Sequence, residues 1–258
     1  MYIFLTSIGK DNEYMTDELR ERIYSLVRRE RREKADKIKH QESRDASLAA
    51  GILLNAATRI YMEQPILAME NKLYYYPLNV CADKYDSIYD YEMELGFNGK
   101  PEFKRTSDRA DKPLPYFNLS HSGKFVVCAV SDKPIGIDIE GRRKVFLKTA
   151  KRFFTDAEYQ WVCKGDNESK VCEEQEANMH EPQNDEASPK QYERFLRIWT
   201  MKEAYSKLSG MGIAHGISQA EFLPDENGSL IMKSAADGEF RLTEFECLDY
   251  RISGIEKL

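Results

Sequence analysis

One hexapeptide constrains the fold more than any other stretch. Ile135-Gly136-Ile137-Asp138-Ile139-Glu140 alternates strictly between branched apolar residues and glycine or acids. A period of two belongs to an extended strand, whose successive side chains leave on opposite faces. Ile135, Ile137 and Ile139 then face a core, while Gly136, Asp138 and Glu140 share the other face. Two carboxylates side by side repel each other. A hard cation such as Mg²⁺ relieves that repulsion, because it prefers oxygen ligands and often combines a few carboxylates with phosphates and water. Gly136 beside them is expected to leave room for a ligand. The alternation is equally compatible with the solvated polar face of an edge strand.

The rest of the chain supplies the neighbours of that strand. Tyr2 to Ile8 reads as a strand. Thr16 suits an N-cap, with Asp17 and Glu18 in the first turn and Leu19, Ile23, Leu26 and Val27 at helical spacing. A basic run from Arg28 to Lys39 follows, then a helix over 43–62. Residues 74–98 are aromatic and irregular, and 97–115 read as loop. Strands are predicted at 125–131 and 135–140, and helices at 146–153 and 156–163. The polar, acid-rich segment 164–191 reads as a flexible insertion. A helix over 192–208 is stopped by Gly210. Strands near 220–223, 230–233, 240–247 and 250–255 complete an α+β chain. The two halves read as similar α+β units, 1–118 and 119–258.

Four further groups could carry chemistry. In Trp199-Thr200-Met201-Lys202-Glu203-Ala204-Tyr205-Ser206-Lys207, Glu203 and Lys207 stand at i and i+4 on one helix face. They make either a surface ion pair or a third carboxylate with a phosphate-binding cation. Trp199, one turn earlier, is expected beneath Glu203. Phe117 to Gly123 reads as a polar turn that offers the Ser120 hydroxyl and the His121 imidazole to a phosphate, although a lone histidine also suits a structural place. The basic run, with Arg31 and Lys34, is either a solvated face or a grip for a phosphate monoester. Thr155-Asp156-Ala157-Glu158 has the pattern of a capping box, which by itself accounts for Glu158.

These groups occur together and in one order, and the chain thereby resembles the 4'-phosphopantetheinyl transferase superfamily. The carrying motifs are Asn118 to Gly123, the Asp138-x-Glu140 strand, Phe153-Phe154-Thr155 to Glu158, and Trp199 to Lys207. The N-terminal half is similar to the surfactin-synthetase-activating type. That type implies two similar α+β subdomains related by a pseudo-two-fold, with the active site between them. The 1–118 unit would lie on the coenzyme A 3'-phosphate side, and 119–258 would carry the catalytic residues. The resemblance implies transfer of the phosphopantetheine arm of coenzyme A to a serine of an apo acyl or peptidyl carrier protein, leaving adenosine 3',5'-bisphosphate. Asp138, Glu140 and Glu203 would hold Mg²⁺. Lys207 and Lys202 would sit at the phosphates. Ser120 and His121 would contact the 3'-phosphate with Lys100, Arg31 and Lys34. Relatives often carry an arginine where Ala46 stands; either the nearby Arg44 substitutes for it or the grip on the 3'-phosphate is weaker. Glu203 is the first choice for general base and Glu158 the second, with Lys207 stabilising the leaving phosphate.

Composition narrows the partners. With 38 basic against 44 acidic residues, the net charge of −6 argues against nucleic acid. The five cysteines show no C-x-x-C spacing, which suits a reducing cytoplasm rather than a disulfide framework or zinc site. No apolar stretch approaches the roughly 20 residues needed to span a bilayer. A monomer is expected. Carrier proteins are generally acidic helical bundles, so for this acidic chain apolar docking is favoured over long-range steering. Two other functions use similar residues: an Mg²⁺-dependent nucleotide phosphodiesterase or hydrolase that attacks with water, and a non-catalytic coenzyme A-binding partner of a synthase. No P-loop, dinucleotide fingerprint or serine-hydrolase elbow occurs.

Overall fold

The computed structural model describes residues 1–9, 14–63, 72–85, 92–96, 99–104, 114–143, 147–164, 187–212, 220–234 and 238–258. Most of the expected insertion 164–191 lies outside the described residues. Two sheets lie at the centre, each covered on its outer side by a long helix. The first has the order β2-β1-β6-β5, from β1 (Tyr2–Ser7), β2 (Leu73–Tyr75), β5 (Tyr116–Ser122) and β6 (Phe125–Ser131). Only β1 and β2 run parallel in it. The second, β10-β11-β7, is antiparallel and joins β7 (Ile135–Gly141) to β10 (Phe240–Cys247) and β11 (Tyr250–Lys257). Two hairpins stand outside these sheets: β3 (Met93–Leu95) with β4 (Pro101–Phe103), and β8 (Glu221–Pro224) with β9 (Leu230–Ser234).

Alternation along the strands explains the layering. Tyr2 and Phe4 of β1 pack under the long helix α3 (Gln41–Glu63), while Ile3 and Leu5 point the other way. There they meet Ile135, Ile137 and Ile139 of β7, as the hexapeptide predicts. The second long helix, α7 (Pro189–Ser209), covers the outer face of the second sheet and packs Phe195, Ile198, Trp199 and Ala204 around Ile255. Its start is fixed by a capping box at Ser188 with Pro189 in the first turn, and its end by Gly210 at φ 70°. Helices α1 (Asp17–Leu26), α2 (Arg29–Asp36) and α4 (Leu78–Lys84) surround α3, and α5 (Leu147–Phe153) and α6 (Asp156–Cys163) accompany α7.

Three expectations change here. The segment 117–123 is not a turn but strand β5, and only Gly123 and Lys124 form the tight connection to β6. The expected division at 118 falls inside β5, and β5 and β6 complete the sheet that β1 begins. Within the aromatic stretch 74–98, part of β2, helix α4 and strand β3 are ordered elements.

Candidate functional site

The site begins with a glycine. A Cβ on Gly136 would lie 1.9 Å from the Ala204 carbonyl oxygen and 2.8 Å from the Leu208 amide nitrogen. The bare backbone therefore admits helix α7 itself, not the ligand that the sequence led us to expect there. Close approach brings one face of α7, carrying Glu203 and Lys207, down onto the face of β7 that carries Asp138 and Glu140. The polar face of β7 is thereby covered, and Asp138 is only 4% exposed.

Strand β5 approaches from the other side. It and β7 are edge strands of different sheets and share no ladder. Side chains at every second residue of β5 join them. Asn118 Oδ1 accepts the Ile137 amide at 2.9 Å. The Ser120 hydroxyl donates to Asp138 Oδ1 at 2.8 Å. Ser122 Oγ accepts the Gly141 amide at 3.1 Å and donates more weakly to Glu140 Oε2 at 3.4 Å. Asn118 and Ser122 thus hold the two edges together, a role not expected of them while the segment was read as a turn. Their signal was the polar period of two, hidden once the segment was read as a turn.

Lys207 closes the group. Its Nζ donates to Asp138 Oδ1 at 2.6 Å and to Ser120 Oγ at 2.7 Å. Asp138 Oδ2 is buried without a hydrogen-bond partner. Glu203 is 7% exposed and takes no hydrogen bond or ion pair among the described residues. Burial, with the charges of Asp138 and Glu140 added, pushes its carboxyl up to about 7 against the partial relief of Lys207. Glu140 is likewise raised, first by burial and then by Asp138, with Arg143, Ser122 and Trp199 opposing. Trp199 accordingly stands near Glu140, stacked on Phe195 at 5.6 Å.

These acids bear on a metal. Among the described residues no three such ligands are drawn to metal-holding spacing. The donor chemistry nevertheless fits a hard divalent cation: one carboxylate oxygen is buried without a partner, and two neighbouring acids are raised above their ordinary range by burial and then by adjacent carboxylate charge. A divalent ion removes both penalties.

A cationic patch adjoins. His121 is pulled below its ordinary value by burial and then by Lys207, Lys34 and Arg31. Lys34 is lowered by burial and by Arg31, and Arg31 by burial. Cations packed closely enough to depress one another suit a multiply charged anion.

Other expected site residues stand elsewhere. Lys202 and Glu158, both 0% exposed, form an ion pair at 2.9 Å in the core beneath α7. Lys202 also donates to the Ala220 carbonyl at 2.7 Å. Glu158 accepts the amides of Thr155 and Phe222 at 2.8 Å each, so its carboxylate is saturated. Sealed from solvent, the pair reaches neither a phosphate nor an incoming hydroxyl, and both assignments are withdrawn. Lys100 donates to the carbonyls of Ile135 at 3.2 Å and Leu208 at 3.5 Å, bracing β7 against the end of α7 instead of joining the cationic patch. Arg44 places Nε and Nη2 on the Ile38 carbonyl at 3.3 and 3.0 Å, between α2 and α3. Ala46 beside it is buried in the first core.

Comparison with known proteins follows the same residues. Residues 134–253 match the family model described as the 4'-phosphopantetheinyl transferase superfamily. The chain is 38% identical over 141 residues to the 4'-phosphopantetheinyl transferase psf-1 of Bacillus pumilus, covering 55% of this chain and 49% of that protein. It is 28% identical over 200 residues to the 4'-phosphopantetheinyl transferase Sfp of Bacillus subtilis strain 168, and 31% identical over 200 residues to the 4'-phosphopantetheinyl transferase ffp of Bacillus subtilis. Both of those alignments cover 78% of this chain and 67% of the relative. The alignments thus span from 49% to 67% of the length of these curated relatives.

Proposed function

This chain belongs to the 4'-phosphopantetheinyl transferase superfamily, and from that premise we propose that it transfers the 4'-phosphopantetheine group of coenzyme A to a serine hydroxyl of an apo acyl or peptidyl carrier protein. The observation that carries the proposal is Glu203. It is a buried carboxyl with no hydrogen bond of its own among the described residues, beside the Asp138–Ser120–Lys207 group. A carboxylate whose oxygens are committed to no other partner suits removal of a serine proton.

In this reading the serine oxygen attacks the β-phosphorus of coenzyme A. The bond from that phosphorus to the bridging oxygen breaks, and adenosine 3',5'-bisphosphate departs. Glu203 takes the serine proton, directly or through a water. Lys207 meets the charge that develops on the leaving phosphate. Asp138, Glu140 and Glu203 would hold Mg²⁺, which when bound neutralises charge on the pyrophosphate. Arg31, Lys34 and His121, with Ser120 at their edge, would grip the 3'-phosphate, and Arg44 supports the α2–α3 turn behind them. Three acids and a cation on β7 and α7, next to a patch of depressed cations, support this division of labour.

The same reading has the protein act as a monomer in the cytoplasm, apart from nucleic acid and membranes. The net charge of −6 and the scattered thiols support it. Among the described residues no helix is long and apolar enough to cross a membrane.

The test is release of adenosine 3',5'-bisphosphate from coenzyme A and Mg²⁺, with and without apo carrier protein. Release that requires the carrier is expected. Release without it would identify a phosphodiesterase, and no release in either arm would refute the proposal.

A further inference from the structure

Ser120 leaves β5 on the face that meets β7. Successive side chains of a strand alternate between faces, so Ser120 shares its face with Asn118 and Ser122. His121 leaves from the opposite one. All three residues of the first face reach β7, but they hold different things. Asn118 and Ser122 accept the backbone amides of Ile137 and Gly141 at 2.9 and 3.1 Å, and so pin the seam on either side of Ser120. Ser120 instead donates to a side chain, Asp138 Oδ1, at 2.8 Å.

A hydroxyl owns one proton, and here that proton is committed. Lys207 Nζ occupies an acceptor position of the same oxygen at 2.7 Å. What remains on Ser120 Oγ is an acceptor, and phosphate oxygens are acceptors too. While it holds Asp138, Ser120 has no proton to give a phosphate. The effect on Asp138 is one-sided. Oδ1 accepts from Ser120 and, at 2.6 Å, from Lys207. Oδ2 is buried and meets no hydrogen-bond partner among the described residues. Any rotation that aims the carboxylate elsewhere breaks both bonds to Oδ1, so the free oxygen has a fixed direction. A buried carboxylate oxygen left open is costly unless something completes it.

We propose that Ser120 is a positioning residue for Asp138: its hydroxyl holds Oδ1 and so reserves Oδ2 for the divalent ion. This deepens the transferase reading above and rests on its assignment of Asp138 as a metal ligand. The grip on the 3'-phosphate then falls to Arg31, Lys34 and His121, with Ser120 beside them but giving no proton to it.

Mn²⁺ binding without coenzyme A, followed by electron paramagnetic resonance, tests the proposal. Ser120→Ala should bind Mn²⁺ about tenfold more weakly than the unaltered protein, the usual scale for losing a residue that orients a metal ligand. Ser120→Cys, close in size but a weak donor, should do the same without opening a cavity. Adenosine 3',5'-bisphosphate in chelator carries the 3'-phosphate without a pyrophosphate. It should bind Ser120→Ala within about twofold of the unaltered protein, and His121→Ala about tenfold more weakly. Unchanged Mn²⁺ affinity in both Ser120 variants would overturn the proposal. So would bisphosphate binding weakened by Ser120→Ala as much as by His121→Ala, or an unaltered protein that binds no Mn²⁺. Mn²⁺ binding that weakens as expected, in a protein that never modifies a carrier, would sustain the role of Ser120 and remove the transferase reading alone.

Discussion

Gly136→Ala should disable the site through one methyl group. The added Cβ would stand 1.9 Å from the Ala204 carbonyl oxygen; its position is fixed by the Gly136 backbone and the oxygen is itself backbone, so neither has a rotamer to escape into. Restoring an ordinary contact of 3.4 Å requires α7 to retreat by about 1.5 Å. Lys207 Nζ, now 2.6 Å from Asp138 Oδ1, would lose its hydrogen bond, and Glu203 would withdraw from the carboxylates. Misplacement of catalytic groups by about 1 Å costs on the order of a hundredfold in rate. Overpacking a tight contact costs about 1–3 kcal/mol of stability. The sign is informative, because Gly→Ala at an unstrained position with space stabilises by about 0.4–1 kcal/mol through the unfolded chain. Urea unfolding and carrier-dependent bisphosphate release measure the two effects. A variant as stable and active as the parent would refute the claim that the contact of α7 with β7 at Gly136 sets the site.

Three further outcomes follow from buried charge and hydrogen bonding. Glu203 is raised in the folded protein, so its contribution to stability is complete below the unfolded value near 4.5 and is lost as pH climbs through about 7. In chelator, urea unfolding of the parent relative to Glu203→Gln should show a relative loss of roughly 3 kcal/mol across that window, and parallel curves would contradict the assignment. Glu158→Gln leaves the Lys202 ammonium buried without its counter-charge and should cost about 3–5 kcal/mol in the same assay, whereas wild-type stability would show that the pair is dispensable. Asn118→Leu strands the Ile137 amide at the seam of β5 and β7 and should cost about 1–3 kcal/mol, with hydrogen exchange at Ile137 accelerated; unchanged exchange would show that the side chain does not hold the seam.

What the sequence made legible depended on periodicity. The alternation of 135–140 gave β7 and its buried isoleucines, and the i, i+4 spacing gave the shared face of Glu203 and Lys207. What covers the acidic face of β7 was illegible, since Gly136 suits a ligand and a helix equally until the partner is known. β5 escaped because its polar residues face another edge strand, and asparagine, serine and histidine imitate a turn. The short elements β2, α4 and β3 lie within 72–95, where too few residues repeat for a period to emerge. Lys202 misled for another reason. It adjoins Glu203 in sequence, but one residue turns a helix by about 100°, and that rotation carries its ammonium into the core toward Glu158.

Intact mass of an apo carrier protein tests the central claim most directly. After incubation with this protein, coenzyme A and Mg²⁺, the carrier should gain one phosphopantetheine group on its acceptor serine. The gain should vanish with Asp138→Asn or with chelator. A carrier whose mass never changes, or one modified equally well by the Asp138→Asn protein, would contradict the account.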